Sequence, residues 1–238
     1  MSQPNYISFT RTDQVDEPIE GIAREFAEHF KVKRDYFRQF CRIIQVSKRW
    51  RISDLSQSLS KWVSQFGAIG GRKTIIALVN KGFGLCKTDE DINNLRGIIV
   101  ESLLIAAYGG AKILTQSNIG WGAKVYIENG RGTSQVVRYR CSAKKTADCG
   151  DRATVDLGIW DGYSGKFFEC KANPVSIRCK EISYMEYLRN MMKVHGISHE
   201  TFFVCAESKD SIRIRLDEYG CSPLLKPIGL EELQAMIA

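Results

Sequence analysis

The feature that most constrains this chain is a change of hydrophobic period about two-fifths of the way along it. Up to about residue 107 apolar residues recur at helical spacing, and beyond that point they alternate as in strands. Ile22, Phe26, Phe30, Phe37, Phe40 and Ile44 return every three, four or seven residues between Pro18 and Val46. Ser53-Asp54 reads as the cap of a further helix through Leu55, Leu59, Trp62 and Phe66. Thr88-Asp89-Glu90-Asp91 reads as a capping box for a helix from Ile92 to Ala107, closed near Gly109-Gly110. Its second half, GIIVESLLIAA, is apolar on nearly every side, so burial is expected, with Glu101 in its middle.

After this helix the reading is strand-rich. Candidate strands are Lys112–Thr115, Lys124–Glu128, Gln135–Cys141 after an Asn129-Gly130 turn, Ala153–Trp160 and Lys166–Lys171. A helix near Lys180–Val194 follows, then strands Thr201–Ala206 and Ser211–Leu216 and a closing helix from Leu230. Residues 1 to about 17 read as a loose polar arm. The expected fold is therefore α/β (α+β), a mixed sheet flanked by helices, with residues 1–90 as a basic helical region and 91–238 as the core.

Composition excludes several classes. No apolar run approaches the roughly 18 residues of a membrane span. The N-terminus lacks the basic-then-apolar pattern of a secretory signal, so a cytoplasmic protein without a membrane partner is expected. Eight cysteines with no Cys-x-x-Cys pair read as reduced thiols rather than a disulfide scaffold. A zinc site from His195 and His199 with Cys179 or Cys149 would need both histidines on one helix face. The segment GAIGGRKT approaches a phosphate-binding loop, but Arg72 stands where the second glycine is required, before Lys73 and Thr74.

Charge is unevenly placed. The net charge is +7, yet Lys31 to Lys87 holds 13 Lys or Arg against only Asp35 and Asp54, leaving the remainder acidic. Such a stretch fits either a phosphate-backbone surface or a solvated helical face. Lys48, Arg49, Arg51, Arg72, Lys73 and, further on, Lys180 are the candidate nucleic-acid contacts. Arg138, Arg140, Lys144 and Lys145 form a second basic cluster.

The chemistry is concentrated in TVDLGIWDGYSGKFFECKANP, residues 154–174. It reads as strand, turn, strand, with Asp161 to Gly165 dense in turn formers. Glu169 and Lys171, two apart on a strand, project together, and a hairpin would bring Asp156 to Glu169. Two carboxylates and an ammonium at one strand end can hold Mg2+ against a phosphodiester. Asn173 reads as a turn residue before Pro174, and Tyr184 and Tyr187 as packing.

This arrangement resembles the PD-(D/E)xK, or restriction-endonuclease-like, nucleases. Asp156 matches the motif's Asp, Glu169 its second acid, Lys171 its lysine and Glu101 its helical acid; Val155 replaces the usual proline. The resemblance covers about residues 91–220. It implies a mixed sheet flanked by helices, Mg2+ dependence (with Mn2+ able to substitute) and cleavage of nucleic acid, with Asp156, Glu169 and Glu101 as metal ligands. The expectation is a DNA endonuclease of restriction, repair or defence type acting on double-stranded DNA. A symmetric cutter would work as a homodimer, whereas a defence effector would need a partner protein. The competing expectation is a nucleic-acid-binding module that keeps the fold without catalysis.

Overall fold

The computed structural model describes residues 5–13, 15–67, 72–129, 132–141, 149–221 and 223–237. The chain divides into two compact units that interleave in sequence. One comprises residues 15–113 and 230–238, the other residues 1–14 and 114–229. The boundary thus falls near 113 rather than 90, because helix α5 (Asp89–Ala107) packs chiefly with α1 (Glu17–Val32). Fold class is as expected at the coarse level: a mixed α/β protein with a seven-stranded sheet.

The helical unit contains α1, α2 (Phe37–Val46), α3 (Leu55–Phe66), α4 (Lys73–Gly84), α5 and α8 (Leu230–Met236). The six apolar residues whose spacing announced α1 and α2 are fully buried, and Phe30 lies 4.5 Å from Phe40 between ring centroids. α5 begins on the expected capping box, with the Asp91 N–H donating to Thr88 Oγ1 (3.1 Å) and the Thr88 N–H to Asp91 Oδ2 (2.8 Å). It ends where the Gly110 N–H reaches the Ile105 carbonyl (2.9 Å), with Gly109 and Gly110 at positive φ.

In the sheet unit, β1 (Tyr6–Arg11) pairs antiparallel with β2 (Ile119–Glu128), and β2 with β3 (Ser134–Val136) and β4 (Thr154–Trp160). β4 pairs antiparallel with β5 (Ser164–Lys171). β6 (Ser198–Cys205) and β7 (Leu225–Ile228) continue the sheet in parallel. α6 (Cys179–Val194) and α7 (Lys209–Glu218) supply the crossovers that parallel neighbours require.

Four local readings are corrected. The expected loose arm contains β1, since Ile7 is buried and Phe9 packs on the sheet core. Lys112–Thr115 is a 3-10 turn, not a strand. Ser211–Leu216 is helical because Ser208 caps α7, its Oγ accepting from the Ser211 N–H (3.2 Å), and Ile212 and Leu216 bury one turn apart while Ile214 stays exposed. Leu225–Ile228 is a strand that the sequence did not announce.

A bend in β2 shapes the site. Phe9 is opposite Val125 in the ladder, yet it also fills the space that a side chain at Gly120 or Gly158 would occupy. A Cβ at Gly120 would lie 2.6 Å from Phe9 Cβ, and one at Gly158 2.3 Å from Phe9 Cε1. Five straight strand residues would separate positions 120 and 125 by roughly 16 Å. β2 must therefore turn sharply, and it does so at Gly122, whose φ of +54° suits glycine. The turn folds β1 over the face of β4. Gly158→Val should destabilise the chain by about 2–3 kcal/mol through overpacking against Phe9. Equilibrium urea unfolding reads this, and an unchanged midpoint would show that Phe9 does not need the space.

Candidate active site

Asp156 and Glu169 come together as the hairpin reading anticipates. The β4–β5 register pairs Leu157 with Phe168, so one further step sets Asp156 beside Glu169. There the Asp156 carboxylate replaces the backbone ladder, its Oδ2 accepting from the Cys170 N–H at 2.6 Å. Glu169 is completely buried, and the Lys171 ammonium donates to its Oε1. The three residues singled out from sequence therefore form one cluster.

Two members were not foreseen. Arg152, just before β4, places Nη2 3.1 Å from Asp156 Oδ1 and 2.6 Å from Glu169 Oε2. Its backbone is held by a bridge to Tyr139. Glu181, buried in the first turn of α6, approaches Lys171 (3.7 Å), Lys180 (3.8 Å) and Arg152 (3.9 Å). Its other oxygen accepts from the Arg178 N–H (3.2 Å), so a capping residue also serves the cluster. The Asp/Glu-x-Lys pattern carries no information on either one. A fourth carboxylate, Asp13 after β1, lies within electrostatic range of Asp156 and Arg152.

Burial sets the protonation states. Loss of water pushes Glu169 from the ordinary 4.5 to about 7, with Arg152 opposing and Asp156 reinforcing the rise. Burial by itself would lower Arg152 and Lys171, but Glu169 first and then Asp156 outweigh it, so both stay protonated. The folded chain holds the Glu169 proton up to about 7, whereas an unfolded glutamate releases it near 4.5. The associated stability is complete below 4.5 and is lost as pH rises through 7. In chelator, the midpoint of thermal unfolding should fall between about pH 5 and about pH 8, and Glu169→Gln should flatten that slope. A slope that survives Glu169→Gln would assign the dependence to another group.

A metal ion fits these residues in kind. Carboxylate oxygens from two strands converge on one point, which is the position of Arg152 Nη2. Hard oxygen donors of this type suit Mg2+ or Mn2+. The Tyr184 hydroxyl, one turn after Glu181 on α6, is buried without a hydrogen-bond partner and lies in the field of Arg152, Glu169 and Asp156. A buried hydroxyl left unpaired calls for a water or an ion. As the side chains stand, no three His, Cys, Asp or Glu among the described residues form a group that could hold a metal, and Arg152 occupies the point where Asp156 and Glu169 converge.

The remaining candidates lie in both units. Glu101 is half-buried on α5 of the helical unit, rather than enclosed. Lys48, Arg49, Arg51 and Lys73 are exposed in the helical unit, Arg51 lying 3.4 Å from Asp89. Arg72 is buried against the Tyr36 and Phe66 rings and donates to the Phe66 carbonyl (2.6 Å), which makes it a packing residue rather than a phosphate contact. Lys180 stands beside the cluster in the sheet unit. Arg138 lies 3.7 Å from Asp151, and Lys144 and Lys145 fall outside the described residues, as does part of GAIGGRKT. Asn173 caps the turn after Pro174, accepting from the Ser176 N–H (3.2 Å). His195 closes α6 and His199 lies in β6, so they share no helix face and the zinc arrangement is not formed. None of the eight cysteines forms a disulfide.

No known protein-family model matches the chain. No curated protein and no solved structure is significantly similar to it. The likeness to PD-(D/E)xK nucleases therefore rests on the residues themselves, Glu101, Asp156, Glu169 and Lys171, and on the hairpin that carries the last three. No helix among the described residues is long and apolar enough to cross a membrane.

Proposed function

We propose that this chain is a Mg2+-dependent endonuclease that hydrolyses phosphodiester bonds in double-stranded DNA. The observation that carries the reading is the convergence of Asp156 and Glu169, from paired strands, on one cation position with Lys171 alongside. Asp156 and Glu169 would hold the ion. Bound between them, it would supply a water of lowered pKa and a positive charge for a phosphoryl oxygen. Lys171, kept protonated by Glu169 and Asp156, is a donor in this chemistry. It orients the attacking water and offsets charge building on the phosphate. Lys180, at the start of α6 and 3.8 Å from Glu181, would contact a backbone phosphate beside the scissile one. The exposed Lys48, Arg49, Arg51 and Lys73 supply the sequence-independent attraction that duplex binding needs.

Supercoiled plasmid, linear duplex, single strands and RNA incubated with Mg2+, with Mn2+ and with chelator test the proposal. Nicking of plasmid that requires the divalent ion is expected. Absence of cleavage of every substrate at all ion concentrations would remove the assignment.

One observation favours a second reading, a nucleic-acid-binding module without catalysis. Arg152 already neutralises Asp156 and Glu169, as a purely structural ion-pair network would. Calorimetry separates the two: uptake of Mn2+ that depends on Asp156 and Glu169 belongs to the nuclease, and none to the module.

A further inference from the structure

We propose that Asp13 is a third oxygen donor to the ion at Asp156 and Glu169, delivered there by the bend at Gly122. This rests on reading that position as a metal site. The argument begins with the backbone. The Thr12 and Asp13 N–H groups both donate to the Gly122 carbonyl, at 3.0 and 3.1 Å, which pins the end of β1 across the bend. A Cβ at position 122 would lie 2.7 Å from Asp13 Cβ and 2.8 Å from Asp13 Oδ2. The Asp13 carboxylate thus takes the space that a side chain at 122 would fill. The β2–β4 register pairs Trp121 with Leu157 and Ala123 with Val155, which sets Gly122 against Asp156. The missing side chain of Gly122 is what lets a carboxylate from the N-terminal strand reach the hairpin site.

Two further observations point to a ligand. Asp13 has neither a side-chain hydrogen bond nor an ion pair among the described residues, although it feels the charge of Asp156. Two carboxylates brought together repel, and Arg152 and Arg11, whose charges offset this, make no ion pair with Asp13. The buried Tyr184 hydroxyl, in the field of the same cluster, has no hydrogen-bond partner among the described residues and is left for a water or an ion to satisfy. Charge balance also selects three donors. If Arg152 retires onto Glu181, 3.9 Å away, then Asp13, Asp156 and Glu169 face Lys171 and one divalent ion, and the set is neutral. Asp13 is solvent-exposed, so the third donor sits on the side from which an ion enters.

Titration calorimetry of Mn2+ into the full chain, with parallel thermal unfolding, tests the assignment in wild type, Asp13→Asn, Asp13→Glu and Asp156→Asn. Asp13→Asn should weaken Mn2+ binding about tenfold or more while leaving the metal-free unfolding midpoint in place. Asp13→Glu should recover part of the affinity, which a merely structural role would not do. If Asp13→Asn binds Mn2+ as wild type does while Asp156→Asn does not, Asp13 is no donor and the hairpin site stands. If wild type takes up no Mn2+, the metal site and the role of Asp13 fall together.

Discussion

An Asp156→Asn chain is expected to nick supercoiled plasmid at least about a thousandfold more slowly than the parent, with little change in stability. The two effects separate because Asp156 does two jobs. As a hydrogen-bond acceptor it holds the Cys170 N–H at 2.6 Å, and the asparagine carbonyl can take over that bond. As an anion it faces the cation position shared with Glu169, and the amide cannot replace the charge. Lys171→Met should cost less, about a hundredfold, because it removes a donor to the developing charge and leaves both carboxylates in place. Rates of plasmid nicking at saturating Mg2+, beside unfolding curves of the same preparations, read both. Parent-like nicking by Asp156→Asn would mean that any cleavage arises elsewhere in the chain.

The second large effect concerns Arg152. In chelator, Arg152→Met should lower stability by about 3–5 kcal/mol, since it leaves the fully buried Glu169 with Lys171 as its remaining close cation. Methionine keeps much of the aliphatic volume, so packing alone does not account for such a loss. Saturating Mg2+ should restore a large part of it, because the ion takes the place that the guanidinium held between Asp156 and Glu169. The parent should gain less from the same Mg2+, as it must first displace Arg152. Denaturant unfolding with and without the ion decides the matter. An Arg152→Met protein that is equally destabilised in both conditions would make Arg152 a fixed part of the core.

The hairpin site was legible because its signal is local. Glu169 and Lys171 share a strand face, the turn between the strands is three residues long, and Asp156 needs one register to meet its partner. The helical core was legible for a similar reason, since Phe26, Phe30, Phe37 and Phe40 carry a strong period and Thr88 with Asp91 carries its own cap. Where tertiary context decides, the reading failed. SIRIRL alternates like a strand, but Ser208 and the burial of Ile212 and Leu216 make it a helix. YISFTR is short and lies in a polar neighbourhood, and the pair Ile7 and Phe9, two apart, was its one clue. The Asp/Glu-x-Lys spacing points to none of Arg152, Glu181 and Asp13. Arg152 stands four residues before Asp156 and Glu181 twelve after Glu169, where only the tertiary fold turns them inward, and the place of Asp13 depends on one glycine more than 100 residues away. Glu101 shows the converse: an apolar neighbourhood in sequence suggested enclosure, yet the residue is half-buried.

The interleaving of the two units has a consequence for biosynthesis. β1 leaves the ribosome first but cannot pair until Glu128, its partner across from Tyr6, has been made. The helices from α1 to α5 emerge in that interval, and their unit still waits for α8 at the far end of the chain. Neither unit can close during translation of its own first segment. At roughly 5–20 residues per second, β1 spends several seconds as an unpaired strand while the helical segment is added. A nascent chain arrested before residue 119 should therefore keep Tyr6–Arg11 open to protease, and one extended past residue 171 should protect that strand.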